Sequence, residues 1–155
     1  MKDEYNRKTE FTKEELIEIM DSFLEYKPVF KKISPDDPDY TPLDSYPYDD
    51  ESNRYVGYDY TQVDAAWRVT DVIFEYHIED RHYNTNFVKI QEKYGVRDVK
   101  GASREKLDFL EIITIFTLMV RAYHWDDRGN YFEGWIEDNS LYNLLCRLEE
   151  IRCDL

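Results

Sequence analysis

The chain is 155 residues long, 42% hydrophobic and 16% aromatic, enough for one ordinary domain whose core needs no disulfide, metal or obligatory partner. Its formal net charge of −14 repels phosphate backbones and anionic lipid surfaces, which are held through clustered Lys and Arg. Direct nucleic-acid binding and membrane binding are thus disfavoured, and a protein with a basic surface is the partner that this charge suits.

The polar start MKDEYNRKTEF carries no apolar export signal. Cys146 and Cys153 fall seven residues apart in one predicted helix, roughly 10 Å and beyond disulfide reach. Reduced thiols and a cytoplasmic location are expected.

Thr12 and Glu15 form a capping-box pattern, with Phe11 and Leu16 placed as a hydrophobic staple. The first helix starts there. Leu16, Ile17, Met20, Phe23 and Leu24 make its apolar stripe, which should end before Pro28, and a short turn through Val29, Phe30 and Ile33 follows. Residues 34–60 then change character, with four of the five prolines, eight acidic residues, one Arg and six tyrosines. Prolines deny this segment regular hydrogen bonding while tyrosines offer apolar rings with wet tips, so it should be an extended strap pinned on the surface. Thr61 with Asp64 is expected to cap a second helix that carries Val63, Ala66, Trp67, Val69, Ile73, Phe74 and His77 on its apolar face and runs to about Arg81.

A shorter helix with Phe87, Ile90 and Tyr94 on one side should stop at Gly95. Ser103 is expected to cap the central helix, whose sequence FLEIITIFTLMVRAYHW is apolar around most of its circumference. A turn at Asp126–Gly129 and an irregular or extended stretch through Phe132 and Trp135 come next. The last helix presents Leu141, Leu144, Leu145 and Leu148 inward. The fold class is therefore all-α: one compact helical domain over residues 1–155, with four main helices, one or two short ones, and a long acidic Tyr/Pro-rich loop between the first two main helices.

The segments EYKPVFKKI, SYPYDD, RAYHWDD and SLYNLLCRLEEI together make the chain resemble the bacterial and phage family called domain of unknown function 6508. The resemblance spans Phe23 to Ile151 and implies a helical fold, without an activity to carry over. It departs from the family where Arg121, Ala122, Tyr123, His124 and Trp125 replace a charged, glycine-containing stretch.

Chemistry-bearing constellations are sparse. Glu79 and His82 have a Glu-x-x-His spacing, but a di-iron bundle needs a second copy and two further carboxylates. His77 and His82, five residues apart, do not converge on one ion. No metal, cofactor or catalytic residue is assigned. With five glycines there is little material for a phosphate loop or nucleophile elbow. The leading expectation is a non-enzymatic acidic interaction domain, in a phage or mobile-element setting, that masks a basic or nucleic-acid-binding surface through Asp36, Asp37, Asp39, Tyr46, Tyr48, Asp49, Asp50, Glu51 and Tyr55. The alternative is a small enzyme or ligand-binding domain with a polar site at Arg121, His124, Asp126 and Asp127, where an imidazole beside a carboxylate can move protons. For that cluster a purely structural role, with Arg121 a buried anchor and the others closing a turn, is the competing reading.

Overall fold

The computed structural model describes residues 8–122 and 131–155, which form a helical domain carrying one small two-stranded sheet. Helix α1 (Lys13–Leu24) begins at the expected capping box: the Glu15 N–H donates to Thr12 Oγ1 (3.1 Å), and the Thr12 N–H to Glu15 Oε1 (3.4 Å). Ile19, Met20 and Phe23 form its buried stripe, and Pro28 sits in a following 3-10 turn, Lys27–Val29.

Helix α2 (Thr61–Glu75) departs from expectation at both ends. Its start is tied down by Asp59, whose Oδ1 accepts from the Thr61 N–H (3.0 Å) and Thr61 Oγ1 (2.7 Å), while Asp64 makes no cap. It ends at Glu75 instead of Arg81, because His77 turns into the left-handed region at φ 54°. The His77 N–H then reaches the Phe74 carbonyl (3.2 Å) and the Ile78 N–H the Ile73 carbonyl (2.8 Å), a Schellman closure that exposes His77 and removes it from the apolar face. Helix α3 (Tyr83–Tyr94) closes the same way on Gly95, at φ 64°, as its sequence predicts.

Ser103 is not the cap of the central helix. It terminates a single turn, α4 (Val99–Ala102), whose own cap is Asp98. The central helix α5 (Phe109–Ala122) begins instead with a reciprocal pair: the Glu111 N–H donates to Asp108 Oδ1 (2.8 Å) and the Asp108 N–H to Glu111 Oε1 (2.9 Å). The stretch through Phe132 and Trp135, expected to be irregular, is helix α6 (Tyr131–Glu137). Helix α7 (Ser140–Cys153) buries the four predicted leucines completely.

Helix α5 is the centre of the fold and packs against α2, α3, α6 and α7, while α1 lies against α2 and α7. Ile112, Ile113, Ile115, Phe116 and Met119 of α5 are all fully buried, with Phe23 stacked on Phe116 at 5.3 Å between ring centroids. Side chains of this size contribute about 1.5–3 kcal/mol each on burial, so this apolar packing dominates the stability. Among the described residues no helix is long and apolar enough to cross a membrane.

Candidate interaction surface

Residues 34–60 lie as a strap built from turns, a 3-10 turn at Leu43–Ser45, and a hairpin of β1 (Tyr48–Asp49) with β2 (Arg54–Tyr55). In the antiparallel register Tyr48 faces Tyr55 and Asp49 faces Arg54. The tyrosines are what hold the strap together. Tyr48 and Tyr55 meet edge-on at 5.0 Å, Tyr46 and Tyr58 at 5.6 Å, and Tyr58 and Tyr60 at 5.0 Å, while Tyr60 Oη accepts the Tyr55 N–H at 2.6 Å. Gly57, at φ 88°, turns the chain where a side chain would approach the Tyr46 ring.

Two clasps fasten the strap to the helices. At its start the Ile33 N–H donates to Asn139 Oδ1 (2.7 Å) and Asn139 Nδ2 donates back to the Ile33 carbonyl (2.8 Å). Further along, Tyr40 Oη donates to Glu137 Oε2 of α6 at 3.0 Å. Burial, together with the Asp44 carboxylate, raises Glu137 above the ordinary carboxylate range even though the Tyr40 hydrogen bond opposes the shift. Burial and the same acidic surroundings, Glu137 and Glu133, raise the Tyr58 phenol strongly.

The strap residues nominated from sequence divide accordingly. Asp36, Asp37, Asp39, Asp50 and Glu51 are exposed. Two of the strap carboxylates also shape turns: Asp37 Oδ1 accepts from the Asp39 N–H, and Asp49 accepts from the Glu51 N–H and Ser52 Oγ. Tyr46, Tyr48 and Asp49 are half-buried, and Tyr55, 7% exposed, is part of the interior.

A second acidic feature lies outside the strap. On α1, Glu14, Glu18, Asp21 and Glu25 follow one another at intervals of four, three and four residues, and on α2, Asp64, Arg68, Asp71 and Glu75 repeat the same intervals. That spacing keeps each set within a narrow arc over roughly 16 Å of helix. All eight side chains are exposed. The helices run antiparallel: Ser22 Oγ and Tyr76 Oη are 2.9 Å apart at one level, while Glu25 and Tyr26 share a cleft with Arg68 and Asp71 at the other. The result is a pair of carboxylate rows with a shallow cleft between them, interrupted by Arg68 and by the Arg152 to Asp21 ion pair at 2.9 Å. The interval is legible in the sequence, whereas the pairing of the two rows depends on the packing of α1 on α2.

The alternative site is represented by Arg121 alone, since His124, Asp126 and Asp127 lie outside the described residues. Arg121 is exposed, not a buried anchor, and its guanidinium carbon sits 5.5 Å from the centroid of the Phe74 ring. Among the described residues no group of three or more His, Cys, Asp and Glu side chains is arranged to hold a metal ion.

A buried polar node was not anticipated. Asp80, fully buried in the α2–α3 connection, accepts from the His82 N–H on Oδ1 (2.9 Å) and from Asn86 Nδ2 (2.8 Å) and Thr114 Oγ1 (2.7 Å) on Oδ2. Its own N–H donates to Thr117 Oγ1 (3.1 Å). Comparison with known proteins yields no matching family model, curated protein or solved structure.

Proposed function

We propose that this domain is a non-enzymatic, cytoplasmic interaction module whose acidic surface engages a partner protein with a basic face. The paired, exposed carboxylate rows of α1 and α2 are the observation that carries this reading, and the strap adds Asp36, Asp37, Asp39, Asp50 and Glu51. Magnitudes favour charge over apolar contact. Val56 and Val88 are the large hydrophobic side chains exposed among the described residues, and they lie on different elements, so the described residues form no apolar patch of the size that usually marks a docking surface.

The rows carry seven carboxylates against Arg68 and the paired Arg152. That leaves five net negative charges on the two rows, which overlap where Glu25 of α1 lies near Asp71 and Glu75 of α2. A groove that normally holds nucleic acid is a suitable receptor for such a surface, and masking that groove is the sharper form of the proposal. In this arrangement Tyr55 anchors the strap from within, while the aspartates present the charge. The two free thiols on α7 suit a reducing compartment, and a phage or mobile-element setting fits the family resemblance.

The test is capture of partners from host lysate at low and high salt by three folded proteins: the native chain, a row variant (Glu14, Glu18 and Glu75 to Gln, Asp71 to Asn) and a strap variant (Asp36, Asp37, Asp39 and Asp50 to Asn, Glu51 to Gln). The expected result is a basic partner that is held at low salt, released at high salt, and lost from at least one variant. Equal capture by all three proteins with the same salt dependence would refute the proposal.

A further inference from the structure

A basic stretch of the chain borders a groove at its C-terminal end. Residues 89–106 carry six Lys or Arg against three carboxylates, the reverse of the chain's overall balance. Part of this segment meets α7 across a groove of about 260 Å³, whose charged walls are Arg104, Lys106 and Arg147 against Glu105 and Glu150, with Cys146 beside them.

Of the cations here Arg147 is held in place, while Arg104 and Lys106 are exposed and free to close on a ligand. Arg147 Nε donates to the Leu107 carbonyl at 2.8 Å, which fixes the guanidinium plane against the backbone, and Arg147 Nη1 reaches Glu150 Oε2 at 3.0 Å. Lys106 Nζ, from the opposite wall, reaches the same Oε2 at 3.2 Å. Two positive groups on different elements therefore converge on a single carboxylate oxygen, and Arg104 lines the same space. These contacts hold Glu150 below the usual carboxylate range, Lys106 contributing most and Arg147 next, so Glu150 is a full anion at neutral pH.

We infer that this groove is a binding site for a small phosphate-bearing ligand, and that the Glu150 carboxylate occupies the oxyanion position when no ligand is bound. The site is independent of the acidic surface proposed above. Glu150 is more than half exposed, and surface ion pairs of this kind are worth about 0–1 kcal/mol, so a competing anion can displace it. A phosphate brings more acceptor oxygens and up to twice the charge, and it can engage Arg104 together with Lys106 and Arg147, whereas Glu150 engages two of the three. The overall charge of −14 does not forbid this, because charges beyond roughly 8–10 Å are screened at ordinary salt. The groove exceeds the size of phosphate itself, leaving room for the organic part of a small monoester.

Cys146 in the wall supplies a direct readout. The full-length chain is titrated with inorganic phosphate and, separately, with glycerol phosphate, using chloride at matched ionic strength as control. Amide resonances and the alkylation rates of Cys146 and of the exposed Cys153 are followed, the latter as an internal reference. The expected result is saturable shifts confined to residues near 103–107 and 143–150, with Cys146 protected and Cys153 unaffected. Glu150→Gln removes the competing carboxylate and tightens binding about two- to fivefold. The Arg104→Gln, Lys106→Gln double variant, which leaves the Arg147 anchor intact, weakens it about tenfold or more. Tighter binding of glycerol phosphate assigns the site to monoesters, and equal binding assigns it to the phosphate group alone. Absence of saturable shifts with either probe, or protection equal to that given by chloride, overturns the inference.

Discussion

Replacing Asp80 tests whether one buried carboxylate couples the α2–α3 connection to the central helix. Its partners include the His82 N–H on Oδ1, and Asn86 Nδ2 and Thr114 Oγ1 on Oδ2. Hydrogen bonds to a charged group contribute about 1.5–3 kcal/mol each, and the three are not additive because their donors share one acceptor group. Asp80→Ala removes the acceptor and leaves these donors without it in a site closed to water. The expected loss is about 3–5 kcal/mol, comparable to breaking a buried ion pair.

Asp80→Asn keeps the shape but presents an NH2 where an oxygen stood. The amide avoids the worse clash by keeping its oxygen at the Oδ2 position, where two donors end, and turning its NH2 toward the His82 N–H. One bond is then lost and the other two lose their charge assistance, so the cost is smaller, about 1–3 kcal/mol. For a chain of this length each kcal/mol moves the melting midpoint by about 2–4 °C. Urea denaturation of both variants and of Thr114→Val, followed by circular dichroism, gives the comparison, and the Asp80→Ala, Thr114→Val cycle isolates the coupling. A loss below about 1 kcal/mol for Asp80→Ala, or no coupling between Asp80 and Thr114, would refute the account of the node.

Three further outcomes follow from local geometry. Asp108→Ala should cost about 0.5–2 kcal/mol in the same denaturation assay, since it removes the acceptor for the Glu111 N–H at the start of α5, whereas Ser103→Ala should not affect that helix end. Tyr40→Phe deletes the Oη to Glu137 clasp, and hydrogen exchange should accelerate across the strap before it does in α5. Glu137→Gln should raise the melting midpoint at pH 7 and not at pH 4: a carboxyl whose folded pKa is raised contributes stability that is full below its unfolded value and is lost as pH rises through the folded one, so the neutral amide is relieved of that loss.

What could be read in advance was whatever depends on neighbours in sequence. The Thr12 capping box, the Gly95 stop and the leucine stripe of α7 each need information within about seven residues, and each is found as expected. The end of α2 is not legible locally because the left-handed residue is His77, with no Gly or Pro to announce it. For the start of α5 two capping signals compete, Ser103 and the Asp108-x-x-Glu111 pair five residues later, and the second is the one used. Helix α6 was missed because Gly134 and its seven-residue length argue against a helix, while the ring of Phe132, 4.6 Å from Trp67, holds it in place. The Asp80 node and the Arg147 groove join residues up to about forty positions apart, and no local pattern encodes such meetings.

The distribution of charge also bears on how the domain can change. The buried Asp80 and Glu133 apart, ion pairs between elements sit nearer the surface, as with Lys93 to Glu111 at 3.0 Å and Arg152 to Asp21 at 2.9 Å, and their individual worth is small. The core of α5 and the leucines of α7 supply the dominant stabilisation without them. Most carboxylates of the strap and of the α1 and α2 rows can therefore be exchanged for amides with little change in folding, and relief of self-repulsion offsets part of any loss. A surface retaining so much unrelieved negative charge gains nothing in stability from it. That points to recognition or to solubility, and the two are separable, since solubility depends on the sum of the charges and recognition on their places. Moving the acidic residues of the rows to other exposed positions at constant net charge should leave solubility intact; if partner capture also survives, the spacing on α1 and α2 has no role in it.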